Sequence, residues 1–333
     1  MLRHKRTQET LCAANRCAYS VPMSFLSNTL DSVLKRIRRH PLYYGRYNNT
    51  LPFKENRAFV RYAKACATSY ASEHGDQHLP PSPLLTNGGQ LVQGIFPAEK
   101  ALAYSRKIDD LIARNDPCVD RPKKVEHLTA LIKDPLHSLG MDLLDALKSP
   151  VADQALRSFF RGYYRVKWVV CYRSLPAQQV TSSWLWHSDS FPPHTCKMFL
   201  HLSESTADSG AMELMTLEDT MAYRRAGYFG QFADERYAGL EDFAKAHKLP
   251  YRPFHFDAKP GDGTIFDMNF FHRAVPPRPG HFRDVVQFYF LPSSIPWEKQ
   301  LELDGVANLT SQGGYPKDPR PGASQTSSQS TMM

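Results

Sequence analysis

The chain has 333 residues, with 42% hydrophobic and 12% aromatic content, and its 41 basic against 33 acidic residues give a net charge of +8. That length allows one large buried core or at most two domains, and one catalytic domain extended at both ends is the economical division. No apolar run approaches the roughly 18 residues that span a bilayer, which argues against a membrane-spanning helix. The cysteines Cys12, Cys17, Cys66, Cys118, Cys171 and Cys196 are scattered without a Cys-x-x-Cys pair, as suits free thiols in a reducing compartment. A cytoplasmic protein is expected.

The excess of basic residues favours anionic partners in general. These residues are dispersed, and no aromatic-plus-basic recognition motif accompanies them, so no nucleic acid partner is expected. A small molecule is the economical substrate.

Residues 1–22 carry Arg3, Lys5, Arg6 and Arg16 against Glu9 but lack the apolar core of a secretory signal. They read as a disordered leader; an organellar transit peptide, or an extension upstream of a working start at Met23, is the alternative. Phe25, Leu26, Leu30, Val33, Leu34 and Ile37 fall at helical spacing before Pro41, with Lys35, Arg36, Arg38 and Arg39 on a solvated face. A second helix is expected over Asn56 to Ser72, and Leu79 to Pro83 reads as a linker, so residues 23–85 form a helical extension.

Gln90 to Phe96 looks like a strand, and Pro97 sits where a first helical turn accepts proline. The helix that follows turns Leu102, Ile108, Leu111 and Ile112 inward and ends near Asn115-Asp116-Pro117, with more helix over Met141 to Lys148 and Val151 to Phe160. From Tyr163 the pattern becomes β-rich. Strands are predicted at Tyr164–Cys171, Leu185–Ser188, Lys197–Leu202, Ala211–Met215, Phe254–Ala258, Thr264–Asp267 and Val285–Leu291, the pattern of an antiparallel barrel or sandwich.

Between these strands, Met221 to His247 reads as a helical or irregular insertion of the kind that covers a site. Lys259 to Gly263 is a strong turn signal. After Val306 the composition shifts to Ser, Gln, Gly, Thr and Pro, so the domain is placed at residues 86–306 and a disordered tail at 307–333.

The chemistry is carried by Trp184-Leu185-Trp186-His187-Ser188-Asp189, answered by Phe271-His272 eighty-five positions after His187 and by Arg283 eleven further on. Two imidazoles and one carboxylate on one face of a metal leave octahedral positions open, the arrangement of non-haem Fe(II) oxygenases. His-x-Asp alone is a weak pattern, and the same three groups would also serve a zinc hydrolase with a metal-bound water. A catalytically silent ligand-binding protein is a third alternative.

Context separates these. Lys197-Met198-Phe199-Leu200-His201-Leu202, then Asp208-Ser209-Gly210-Ala211-Met212-Glu213-Leu214, then Pro260-Gly261-Asp262, His272 and Arg283 resemble the phytanoyl-CoA dioxygenase-like family over roughly residues 86–295. The resemblance implies an α+β fold with a double-stranded β-helix (jelly-roll, cupin-like) core and flanking N-terminal helices. It implies that His187, Asp189 and His272 bind Fe(II), and that Arg283 holds the distal carboxylate of the cosubstrate 2-oxoglutarate, with Lys167 or Arg165 as a further contact. O2 is the second cosubstrate, succinate and CO2 are the coproducts, and a metabolite is hydroxylated, desaturated or cyclised.

With Asp189 present instead of the small residue found in related halogenases, hydroxylation is the first expectation. Trp186, Phe191, His194, Phe271 and Arg273, with Trp184 and Phe270, lie near the ligands in sequence and are candidate substrate contacts. Gly210-Ala211 and Thr216-Leu217-Glu218-Asp219 depart from the family's usual Gly-Pro and Pro-Gly-Ser-His stretches, which removes any guide to the substrate from that lid.

Overall fold

The computed structural model describes residues 53–75, 79–120, 129–177, 179–189, 191–306 and 309, together with helical Val33 and Ile37. The leader at 1–22, most of the helix expected from Phe25 and nearly all of the tail at 307–333 lie outside the described residues. Leu309 is described, and it is buried in the main core.

Helix α1 spans Phe53–His74, α2 Leu84–Asn87, and β1 Gly89–Val92. Helix α3, Ala98–Ala113, starts after Pro97 with Glu99 in its first turn, where the helix dipole favours an acid. Its buried residues Ala101, Ser105, Ile108 and Leu111 recur at the helical period. Short strands β2 (Val119–Asp120) and β3 (Thr129–Ile132) follow, then α4 (Pro135–Ser138) and α5 (Pro150–Phe160). Met141–Lys148, expected as a helix, is 3-10.

The long strand β4 covers Tyr163–Ser174, β5 Cys196–His201, β6 Glu213–Leu214, β7 Gly263–Asp267, β8 His272–Arg273 and β9 Arg283–Ser293. Between β6 and β7 lie α6 (Leu217–Arg225) and α7 (Glu241–His247), and α8 (Trp297–Asp304) follows β9. The fold is therefore a mixed one of helices and antiparallel sheet.

Among the described residues the main sheet has seven strands in the order β1-β7-β5-β9-β4-β3-β2, and each neighbouring pair is antiparallel. Both of its faces are covered, and alternation sorts the side chains between them. Met198 and Leu200 of β5, Ile265 of β7 and Val286, Phe288 and Phe290 of β9 join Ile108, Leu111, Leu156 and Phe159 of the helices in one apolar core. The alternate residues Lys197, Phe199, Phe266, Arg283, Gln287 and Tyr289 turn to the other face and line a cavity.

A smaller layer closes the opposite side of that cavity. Strand β6 pairs with β8, while single bridges join His187 to His272 and Leu214 to Phe254. The predicted strand at Leu185–Ser188 is thus reduced to one bridged residue, and Phe254–Ala258 to bridges at Phe254 and Ala258. Behind this layer pack Trp186, Met215, Tyr223, Tyr228, Leu240, Ala244 and Phe271, which brings the insertion helices α6 and α7 down onto the strand carrying the first histidine. No helix among the described residues is long and apolar enough to cross a membrane.

Candidate metal centre

Local alternation sets the site. Along the extended segment Trp186 turns back into the insertion core while His187 turns forward, and the same switch occurs between Phe271 and His272. The two histidines sit opposite each other and exchange both backbone hydrogen bonds, His187 N–H to His272 O at 3.0 Å and His272 N–H to His187 O at 2.9 Å. Their ring centroids are 4.3 Å apart. The Asp189 N–H donates to Met268 O at 2.8 Å, which ties the carboxylate's backbone to the loop leading into β8.

The hydrogen bonds also select the tautomer. Nδ1 of His187 lies 2.7 Å from Leu185 O, and Nδ1 of His272 lies 2.9 Å from Phe270 O. A carbonyl only accepts, so each Nδ1 carries the proton and each Nε2 presents a lone pair. Both lone pairs face Asp189: His187 Nε2 is 3.7 Å from Oδ1 and His272 Nε2 is 3.4 Å from Oδ2. The three ligand atoms lie within 4.8 Å of one another. Burial, followed by His272, lowers the His187 pKa to about 4, which keeps this imidazole neutral and able to ligate. For Asp189, burial pushes the pKa upward but is outweighed by Lys197, His272 and His187, which hold the carboxyl well below its ordinary value.

The cavity has a volume of about 360 Å³ and is lined by all three of these residues. Arg283, first residue of β9 and 1% exposed, lines the same cavity. Its Nη1 donates to Gly210 O, its Nε has no hydrogen-bond partner, and among the described residues no carboxylate pairs with it. Burial lowers its pKa, opposed by Tyr172. A guanidinium so placed is costly unless an anion arrives to meet it.

The structure brings His187, Asp189, His272, Arg283 and Trp184 to one cavity and places Lys167, Arg165, Trp186, Phe271, Arg273, His194 and Phe191 outside its lining. Lys167 does not line it. A bulge between Val166 and Trp168 shifts the register of β4, so that Trp168, Val170 and Tyr172 face the cavity while Lys167 sits near Arg165 and Asp304. Arg165 pairs with Asp304. Trp186 and Phe271 are core residues behind the small sheet. Arg273 donates to Glu213 Oε2 at 2.7 Å and lies 5.1 Å from the Trp186 ring, also behind it. His194 is exposed with a φ of 60°, and Phe191, which is not in the cavity lining, stacks on Tyr289 with centroids 5.6 Å apart. Trp184 does line the cavity.

Sequence reasoning missed Lys197. Its Nζ lies 2.6 Å from Asp189 Oδ2 and 4.8 Å from the Tyr289 ring centroid. The signal was a single lysine inside the apolar stretch Cys196 to Leu200, a position that a buried strand gives to a charge only when it has a partner. Tyr172, Gln287 and Arg236 also line the cavity and were not anticipated.

The donor chemistry fits a first-row transition metal. Two neutral nitrogens and one carboxylate oxygen suit iron(II), and the Arg283 guanidinium in the same cavity suits a carboxylate-bearing cosubstrate.

No protein-family profile matches the sequence, and no curated protein sequence matches it. Solved structures do show likeness. The epimerase SnoN in complex with Fe3+, α-ketoglutarate and nogalamycin RO is similar over 80% of this chain and 96% of its own, at 14% identity and a TM-score of 0.47. The non-heme α-ketoglutarate-dependent carbocyclase SnoK from nogalamycin biosynthesis is similar over 82% of this chain and 94% of its own, at 14% identity and a TM-score of 0.46. EctD from S. alaskensis with 2-oxoglutarate and 5-hydroxyectoine is similar over 63% of this chain and 73% of its own, at 15% identity and a TM-score of 0.45.

Proposed function

We propose that this chain is an Fe(II)- and 2-oxoglutarate-dependent oxygenase that acts on a small-molecule metabolite and releases succinate and CO2. One observation carries the reading: two imidazoles with their Nε2 lone pairs freed, a carboxylate and a buried guanidinium that has no carboxylate partner among the described residues share one cavity. The layers support a double-stranded β-helix, with β4-β9-β5-β7 in one sheet and the His187 segment, β8, β6 and the Phe254 segment in the other. The order of motifs, with Arg283 eleven residues after His272, supports the phytanoyl-CoA dioxygenase-like branch. The catalytic unit is then residues 86–306, and 23–85 is an extension.

Within this reading His187 and His272 would bind the metal through Nε2 and Asp189 through its carboxylate. Bound iron(II), with 2-oxoglutarate and O2, supplies the oxidising power for hydroxylation, desaturation or ring closure. Arg283 would receive the distal carboxylate of 2-oxoglutarate in its planar fork. Gly210 O, which accepts from Nη1, holds that fork in place. Lys197 fixes one oxygen of Asp189 and so orients the other. Phe199, Phe266, Tyr289 and Trp168 wall the cavity with apolar surface that excludes water.

The test is succinate formation from 2-oxoglutarate by the full chain under air, with ascorbate and a metabolite library. Formation that requires added Fe(II) and is lost in His272→Ala is expected. Hydrolytic products formed with Zn(II) in the absence of 2-oxoglutarate would instead establish the hydrolase chemistry.

A further inference from the structure

The roles assigned to His187, Asp189, His272, Lys197 and Arg283 leave one charged group of the cavity wall without a task. Arg236 lines the cavity from the insertion, directly after the 3-10 turn Ala233–Glu235. Its Nε donates to Gly230 O at 3.0 Å and its Nη2 to Gln231 O at 3.1 Å. These bonds fix the plane of the guanidinium and use neither N–H of Nη1. Among the described residues Arg236 forms no salt bridge. The carboxylate that acts on it is Asp189, which Lys197 already holds at 2.6 Å.

Charge balance makes the same point. Among the described residues, the charged groups lining the cavity are the cations Lys197, Arg236 and Arg283 and the carboxylate Asp189, an excess of two positive charges. A divalent metal and the 2-oxoglutarate dianion cancel each other and leave that excess standing. Nothing else assigned to the cavity neutralises it, and in a partly dry site an uncompensated cation is unfavourable.

The cavity that Arg236 lines also has aromatic walls. Trp168 stacks on Tyr289 with centroids 4.7 Å apart and planes inclined by 26°, and Trp184 lines the same cavity. Flat rings and a pre-oriented guanidinium in one cavity suit a planar acid, since a guanidinium matches a carboxylate with two parallel N–H donors while the rings take the apolar body.

We propose that Arg236 determines specificity by receiving a carboxylate of the primary substrate, whose planar or aromatic body lies against Trp168, Trp184 and Tyr289. The inference rests on the reading of this cavity as an oxygenase site, and it identifies the substrate class as aromatic or planar carboxylic acids. His194 and Arg273, candidate substrate contacts in the sequence, give way to a residue of the insertion.

The test uses the full chain loaded with redox-inert Ni(II) and 2-oxoglutarate. Isothermal titration calorimetry compares benzoate, phenylacetate, 3-phenylpropionate and indole-3-acetate with their primary amides. At least one acid is expected to bind more tightly than its amide, and Arg236→Gln is expected to weaken that acid about ten- to a hundredfold while leaving the amide unchanged. Arg236→Lys should restore part of the preference. A distorted insertion would weaken acid and amide alike, and that result overturns the proposal. So does a wild type that prefers no acid, or a preference that survives Arg236→Gln.

Titration of 2-oxoglutarate itself into wild type and Arg283→Gln keeps the two readings apart. If 2-oxoglutarate does not bind, the oxygenase reading fails, and the acid-amide comparison repeated on the Arg283→Gln chain still decides the role of Arg236.

Discussion

Lys197 is the residue on which the proposed metal site leans most heavily without being a ligand. Its ammonium is 2.6 Å from Asp189 Oδ2 and the residue is 7% exposed, so the pair is largely shielded from solvent. Groups that orient a ligand commonly contribute about ten- to a hundredfold to metal affinity. Lys197→Met is therefore expected to lower Ni(II) affinity by about that factor, measured by competition with a chelating dye; unchanged affinity would remove Lys197 from the site. His187 and His272 were legible because the residues themselves name the chemistry. Lys167 was misread because an unseen bulge in β4 decides which way it points, and sequence alternation carries no sign of it.

A buried histidine gives a pH signature separate from the metal. His201 accepts or donates one hydrogen bond, Nε2 to Thr264 Oγ1 at 2.9 Å, and its Nδ1 has none. Burial, then Arg283, lowers its pKa to about 3. The unfolded chain therefore binds more protons than the folded one between pH 3 and about 6.5, so this contribution is complete above pH 6.5 and is lost as pH falls. His187 acts in the same direction, while Asp267, raised to about 6 by burial, acts in the opposite one. Comparing variant with wild type isolates His201. His201→Asn should flatten the fall in urea-unfolding free energy between pH 6.5 and 4, and parallel curves would contradict the assignment.

At the scale of elements, the ends of β4 and β9 are clamped to α3 one residue from Arg283. Arg173 donates to Asp284 Oδ1 at 2.7 Å and Oδ2 at 2.6 Å, Ser105 Oγ donates to Oδ2 at 2.6 Å, and Phe282 lies 4.1 Å from the guanidinium. Asp284 has no solvent exposure. Removing Asp284 leaves the buried Arg173 guanidinium with the half-exposed Asp109, so Asp284→Ala is expected to cost about 3 kcal/mol by chemical denaturation. A cost below about 1 kcal/mol would mean that the clamp contributes little net stability.

The Ser209-Gly210 motif acquires a physical meaning in the same region. Gly210 has a φ of 80°, and an added Cβ would lie 2.4 Å from Val275 O. The positive φ alone costs a non-glycine residue about 1–2 kcal/mol, before the clash with backbone. Gly210→Ala should therefore lower stability by about 2 kcal/mol or more and displace the carbonyl that Arg283 uses. Chemical denaturation checks the first effect and 2-oxoglutarate affinity the second.

The strong strands β4, β5, β7 and β9 were readable because both of their faces are buried and their apolar runs are long. Leu185–Ser188 was readable as extended but not as a single bridge, since pairing depends on the distant His272 segment. Thr129–Ile132 was missed because its four residues have no apolar alternation long enough to register.

At the scale of the whole molecule, a helix-backed sheet and a small sheet enclose a cavity, and the proposed metal site joins the two layers. His187 and His272 belong to the small layer, and Lys197, which holds Asp189, comes from the main sheet. Ligation should therefore stabilise the fold globally. Ni(II) at a hundredfold excess over its dissociation constant adds about 2.7 kcal/mol, or about 5 °C in Tm for a chain of this size. Scanning calorimetry should show that rise in wild type and not in Asp189→Ala; equal rises would place the metal elsewhere.

The most direct measurement is anaerobic titration of the Fe(II)-loaded chain with 2-oxoglutarate, followed by the weak visible charge-transfer absorption of the chelate, in wild type and Arg283→Ala. The account predicts a band that grows and saturates in wild type and requires far more 2-oxoglutarate in the variant, because Arg283 holds the distal carboxylate. An iron-loaded wild type that develops no band would contradict it, since 2-oxoglutarate would then not be chelated at the His187, Asp189 and His272 centre.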